Sequence, residues 1–260
     1  MIKVASIQLW HNDNDSKQAR INHVEELIDS VADSDLIVLP EVWNIGWWSF
    51  DMYNEGSETL QGETISRLAE KAKAINAYML AGSIIERKDD SLYNTAVLLD
   101  PKGKINAVYR KIHLVGFMGR EAELLKPGEE IVTVKTDLGI LGFSICYDLE
   151  FPELFRKMAV NHSVEIFLLV AAWLTEELDH WREQCHVRAY ENHCFLIASD
   201  LVGTNRGNGC LGHSCVVDPW GISIASAGIH ESIVKCEIDT AEIHKIRKLM
   251  PNLEDRRLSI

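Results

Sequence analysis

A carboxylate, an ammonium and a thiol each stand where an apolar run of strand length gives way to polar sequence. Glu41 follows Leu36-Ile37-Val38-Leu39-Pro40, Lys111 follows Val108-Tyr109-Arg110, and Cys146 follows Phe143-Ser144-Ile145. Brought into one crevice, the three suffice for acyl transfer. The carboxylate takes the thiol proton, the sulfur attacks a carbonyl or nitrile carbon, and the ammonium stabilises the charge that develops. A free thiol titrates near ~8.5 and is mostly protonated at neutral pH, so a neighbouring Lys111 is expected to favour the thiolate. Taken singly, each residue also has a plainer reading: Cys146 as a small buried hydrophobe, Glu41 as a solvated loop residue, and Lys111, beside Arg110 and His113, as a basic strand end.

The elements that must position them follow from periodicity. Cys146 ends an apolar run from Gly139, and Pro152 with Glu153 gives a helix start a few residues later, so the cysteine sits at a strand-to-helix elbow. In such an elbow the backbone N–H of the next residue, Tyr147, is the expected second donor to an oxyanion. Residues 2–9 alternate into a strand, and Ser16 to about Ser34 carries apolar residues at helical spacing. Strands are expected at 36–40 and 78–84, with a helix from Thr64 to Asn76 between them. Tyr93 to Leu99 and Lys104 to Tyr109 flank Asp100-Pro101-Lys102-Gly103 and read as a hairpin.

A long loop then leads to a strand near 131–134. After the elbow come a helix from Pro152, a strand at 164–170 and a helix from about Glu176 to Asn192. Strands near 195–199, 212–217, 222–225 and 232–238 and a polar helix from Thr240 complete the chain. The reading is one α/β domain over residues 1–260, with a mixed sheet and a second sheet packed on it. If sequential strands point the same way, Glu41, Lys111 and Cys146 fall at one rim.

Composition narrows the partners. Lys plus Arg number 26 against 39 Asp plus Glu, a formal charge of −13, which argues against nucleic-acid or anionic-membrane surfaces and for a small molecule or protein. Apolar runs such as 164–173 are too short to span a bilayer, and the start reads as a strand rather than a signal peptide. Six scattered cysteines suit a reduced, cytoplasmic protein better than a disulfide scaffold. The stretch holding Cys185, His186, His193, Cys194, Cys210, His213 and Cys215 has no C-x-x-C or H-x-x-x-H pair, so no metal is expected and no cofactor is implied.

Leu39-Pro40-Glu41, Tyr109-Arg110-Lys111-Ile112-His113-Leu114, Cys146-Tyr147-Asp148-Leu149-Glu150-Phe151-Pro152-Glu153-Leu154 and Arg188-Ala189-Tyr190-Glu191-Asn192 resemble motifs of the nitrilase superfamily of carbon–nitrogen hydrolases. Asn94-Thr95-Ala96, Gly212-His213-Ser214 and Asp218-Pro219-Trp220-Gly221 also match in order, so the resemblance covers nearly the whole chain. It implies a four-layer αββα sandwich with two mixed sheets that forms a homodimer. It further implies Glu41 as general base, Lys111 as oxyanion stabiliser and Cys146 as nucleophile, with Glu121 rather than its neighbour Glu123 as a supporting glutamate.

Ala171-Ala172-Trp173 followed by Asp179-His180-Trp181 is similar to the small-amidase branch that includes omega-amidases, with Trp173 and Tyr147 shaping the pocket. That branch often reads Trp-Pro-x-x-Arg. Here Leu174 follows Trp173 and Glu177 takes the arginine position, which removes one partner for a substrate carboxylate and leaves Arg120 as the alternative cation. Hydrolysis of N-carbamoyl amino acids or nitriles, and a catalytically silent interaction scaffold, are the other readings. The family's nitrilases proper carry a C-terminal extension beyond the equivalent of Arg256-Arg257, which ranks nitrile hydrolysis lower, and the intact acyl-transfer set ranks the scaffold lower; N-carbamoyl hydrolysis stays open, although that branch usually carries Asn where Tyr147 follows the cysteine.

Overall fold

The computed structural model describes residues 1–260. Thirteen strands, numbered in chain order, form two mixed sheets. The first holds β1 (Ile2–Asn12), β2 (Leu36–Val38), β3 (Tyr78–Lys88), β4 (Ser91–Leu99), β5 (Ile105–Arg110) and, on the far side of β1, β13 (Ser232–Ile238). The second holds β6 (Thr133–Thr136), β7 (Gly139–Ile145), β8 (Ile166–Ala171), β9 (Phe195–Asn205), β11 (Cys215–Val217) and β12 (Ser223–Ser226), with β10 (Asn208–Leu211) paired to β9.

The sheets share one seam. β1 pairs with β13 from Ile2 to Gln8 and then, from Leu9 to Asn12, runs parallel to Leu201–Thr204 of β9. Upstream of that point β9 pairs instead with β11, through Leu196 to Ala198. From the seam outward the sheets separate and pack face to face.

Helices α1 (Lys17–Asp29) and α3 (Glu63–Ile75) cover the first sheet; α5 (Pro152–Asn161) and α6 (Leu178–Asn192) belong to the second. The period of two along the strands sets this layering. Ala5, Ile7 and Leu9 of β1 cluster with Ile21, Val24 and Ile28 of α1 and with Ile65 and Leu68 of α3. Val4, Leu36, Val38, Leu80, Ala96 and Leu98 belong to the other cluster, with β7, β8, α5 and α6. All six residues of β8 are buried, as expected for a parallel strand covered on both faces. The result is the αββα sandwich with two mixed sheets.

Local chemistry explains the boundaries. Ser16 caps α1 by accepting from the Ala19 N–H at 3.1 Å. Pro152 opens α5, where its missing N–H is not needed. Asn76 ends α3 in the left-handed region, with φ +55°. Gly142 lets α5 approach β7, since a Cβ there would lie 2.7 Å from Met158 Sδ.

Several expected boundaries shift. β3 runs to Lys88 and turns straight into β4, and β9 runs to Asn205 because it must serve the seam. The strand expected near 131–134 forms at Thr133–Thr136. The one expected at 212–217 is confined to Cys215–Val217, because Gly212 and His213 have positive φ. β10 and two short helices, α2 (Tyr53–Gly56) and α4 (Glu121–Leu124), were not anticipated; α7 (Ala241–Leu249) follows its expected position. No helix is long and apolar enough to cross a membrane.

Candidate active site

Glu41, Lys111 and Cys146 follow β2, β5 and β7. These strands point the same way: β2 is parallel to β3, β5 is antiparallel to β4 and so parallel to β3, and β7 reaches β1 through the parallel pairs β8 and β9. The single rim expected from sequence is in fact shared between two sheets. Glu41 and Lys111 come from the first and Cys146 from the second.

Glu41, Lys111 and Glu121 are fully buried, which sets aside the solvated-loop and basic-strand-end readings. Lys111 Nζ donates to Glu41 Oε1 at 3.0 Å and to both oxygens of Glu121 at 3.0 Å. Asn94, on β4 beside Lys111, donates through Nδ2 to Glu41 Oε1 at 2.7 Å and to Glu121 Oε1 at 3.0 Å. Glu121 also accepts from the Val115 N–H at 2.8 Å and from Trp47 Nε1 at 3.1 Å. Glu123 instead pairs with Arg120 at the exposed surface, away from Lys111.

Two contacts carry Glu41 across to the second sheet: its N–H donates to the Ala171 carbonyl at 3.2 Å, and its Oε2 accepts from the Ala172 N–H at 2.9 Å. Behind it, Gly82 (φ +68°) packs so closely that a Cβ would lie 2.0 Å from the Pro40 carbonyl oxygen.

Electrostatics follow from one cation among three acidic groups in a dry site. Burial raises the Glu41 pKa above 4.5, and Glu121 adds to the rise while Lys111 opposes it. Burial alone would discharge Lys111, but the charges of Glu121 and Glu41 hold it as an ammonium well above its ordinary value. Burial first, and then the Glu41 charge, push the Cys146 thiol well up; Lys111 pulls the other way without prevailing. Lys111 thus favours the thiolate as expected, but burial and the Glu41 charge outweigh it.

Cys146 has φ +48°, in the left-handed region that a side chain adopts only when its surroundings impose it. Asp148 imposes it. Its Oδ2 accepts from Tyr109 Oη at 2.6 Å and from the Ile145 N–H at 2.9 Å; its Oδ1 accepts from the His113 N–H at 3.1 Å and pairs with His113 Nδ1 at 2.7 Å. Asp148 therefore ties the elbow to the residues on either side of Lys111.

Cys146 opens onto a narrow cavity of about 50 Å³. Tyr147 and Trp173 line it as expected, together with Trp47, Trp48, Phe117, Glu150 and Glu177. Trp173 is held by its N–H to Asp200 Oδ1 at 2.8 Å and packs against Trp181, with ring centroids 5.4 Å apart. Arg120 is not among the lining residues. A roomier groove beside Arg110, Lys126 and Glu130 contains none of the acyl-transfer residues. Sequence reasoning did not assign Asn94, Asp148, Trp47 or Ala172 to the site. Asn94, Asp148 and Ala172 carried a signal, as members of quoted motifs; Trp47 carried none.

A profile of the carbon-nitrogen hydrolase family matches residues 3–248. The chain is 32% identical over 267 residues to a 2-oxoglutaramate amidase of Paenarthrobacter nicotinovorans, covering 100% of this chain and 90% of the relative. It is 32% identical over 230 residues to an omega-amidase of Homo sapiens, covering 85% and 83%. The crystal structure of Saccharomyces cerevisiae Nit3, a member of branch 10 of the nitrilase superfamily, superposes with a TM-score of 0.88 at 30% identity, covering 99% of this chain and 97% of that one. With its sandwich, its buried Glu–Lys–Glu cluster and a cysteine at the elbow above it, the chain belongs to the carbon-nitrogen hydrolase family.

Proposed function

We propose that the chain hydrolyses small primary amides to a carboxylic acid and ammonia through a thioester on Cys146. The observation that carries this reading is the buried Lys111 ammonium 3.0 Å from two carboxylates, beside the cavity that Cys146 lines. The names of the relatives support amides as the substrate class.

In this reading Cys146 Sγ attacks the amide carbon while its proton passes to Glu41, so no free thiolate is needed beforehand. A buried carboxylate with a raised pKa is a stronger base than a solvated one. The oxyanion forms beside Lys111 and the Tyr147 N–H. Collapse breaks the C–N bond, and the leaving nitrogen takes the proton from Glu41 and departs as ammonia. Water then gives a proton to Glu41 and attacks the thioester; the sulfur leaves and recovers that proton. Glu121 holds Lys111 in place, and Asn94 orients both carboxylates.

The test is ammonia release by purified protein over primary amides, N-carbamoyl amino acids and nitriles. Wild type and Cys236→Ala should turn over amides, whereas Cys146→Ala and Lys111→Ala should each lose at least roughly 10²–10³ in kcat. Release from none of these classes, or release that survives Cys146→Ala, would refute the reading.

A further inference from the structure

The charge lining the Cys146 cavity is one-sided. Glu150 and Glu177 line it, and no lysine, arginine or histidine does. Glu150 accepts from Gln184 Nε2 at 2.9 Å, and no cation is within salt-bridge distance of either glutamate. The segment from Thr175 to Glu183 repeats the bias, with Glu176, Glu177, Asp179 and Glu183 against Arg182. Arg120, the alternative cation named from sequence, is engaged with Glu123 at the surface.

The rest of the wall is aromatic, built from Trp47, Trp48, Phe117, Tyr147 and Trp173. Rings of this kind attract a cation over their faces. Trp173, only 4% exposed, also has an indole N–H that meets no acceptor in the protein, a donor left over for a substrate oxygen.

We infer that this cavity selects amides whose far end carries an ammonium group, and that Glu177 is the residue that excludes a carboxylate there. The inference rests on the amide-hydrolase reading and names the substrate class within it. An ammonium placed between aromatic rings and two carboxylates gains attraction from both. A carboxylate in the same place meets two like charges with no counter-ion, a repulsion of the kind that produces specificity. Substrates of the 2-oxoglutaramate type, which carry a carboxylate, are therefore poor ones for this chain despite the names of its relatives.

The test uses three amides of similar length with ammonium, neutral and carboxylate ends: δ-aminovaleramide, valeramide and glutaramate. Wild type should show kcat/KM for δ-aminovaleramide at least about tenfold above that for glutaramate, the scale of one charge contact at a partly buried site. The ratio should shrink in Glu177→Gln, invert in Glu177→Arg, and fall with added salt. Calorimetric binding of the same three amides to Cys146→Ala should follow the same order. Preference for glutaramate, or a ratio that neither Glu177 variant moves, overturns the inference. Turnover without charge preference refutes only the substrate class. Ordered binding without turnover by wild type refutes the hydrolase reading and leaves the charge selection standing.

Discussion

Replacing Asp148 by asparagine keeps the shape of the side chain and removes half of its capacity to accept. Each Asp148 oxygen now serves two donors: Tyr109 Oη and the Ile145 N–H on one, the His113 N–H and Nδ1 on the other. The asparagine oxygen can serve one of these pairs; its NH2 must face the other. If it faces the first pair, the tyrosine hydroxyl can turn and accept but the Ile145 N–H is orphaned. If it faces the second, the imidazole can change tautomer but the His113 N–H is orphaned. Either way one buried backbone donor loses its partner, at about 1–3 kcal/mol, and the surviving bonds lose their charged acceptor. The sum is about 3–5 kcal/mol. At ~2–4 °C per kcal/mol for a chain of this length, Tm should fall by roughly 6–20 °C.

Because Ile145 precedes the nucleophile and Tyr109 and His113 flank Lys111, the same change loosens the alignment of sulfur and ammonium. A displacement on the order of 1 Å corresponds to a loss of about 10² in rate. The assays are thermal unfolding and ammonia release well below the lowered Tm. Tyr109→Phe, which removes one donor and orphans none, should lose about 1–2 kcal/mol and less activity. An Asp148→Asn enzyme with unchanged Tm and wild-type kcat/KM would refute the argument that this carboxylate sets the elbow.

Glu41 must be ionised to act as a base and burial raises its pKa, so kcat/KM should fall with acid at a pH above the 4.5 of an ordinary glutamate. Lys111 is shifted upward, so no alkaline loss from its deprotonation should appear below about pH 10. An acid limb at or below about pH 4 in a profile of kcat/KM against pH would contradict the burial argument. The linkage sign is also fixed: a folded-state pKa above the unfolded one makes this glutamate's contribution to stability decline as pH rises above about 4.5. Gly82→Ala should push Pro40 and move Glu41, lowering kcat by roughly tenfold to a hundredfold. Gly207→Ala, also at positive φ but with nothing within 4 Å of the added Cβ, should lose only about 1 kcal/mol of stability and little turnover. Equal kcat in the two alanine variants would show that the Pro40 contact is not positioning the base.

Glu41, Lys111, Cys146 and Glu121 were legible in the sequence because each sits in a motif with its own neighbours, and the strand-to-helix elbow was legible from Ile145 and Pro152. What the sequence could not supply was burial. The upward shift of the Cys146 thiol depends on how much water is excluded and on the Glu41 charge, both products of the packed sandwich. Asn94 matched a motif, yet its role appears only once β4 is seen paired with β5 beside Lys111. Asp148 is similar, since Tyr109 lies 39 residues away along the chain. The short helix holding Glu121 has too few residues for a periodic signal, and β10 is held in place largely by its pairing with β9.

The sandwich contributes the Glu41 carboxylate and the Lys111 ammonium from one leaf and the Cys146 sulfur from the other. Neither leaf, folded alone, would hold a working set. Turnover is therefore a more sensitive gauge of how the leaves are registered than any spectroscopic signal of strand or helix content. Gentle heating or mild denaturant that lets one leaf slip over the other should silence the enzyme while its circular dichroism still looks native.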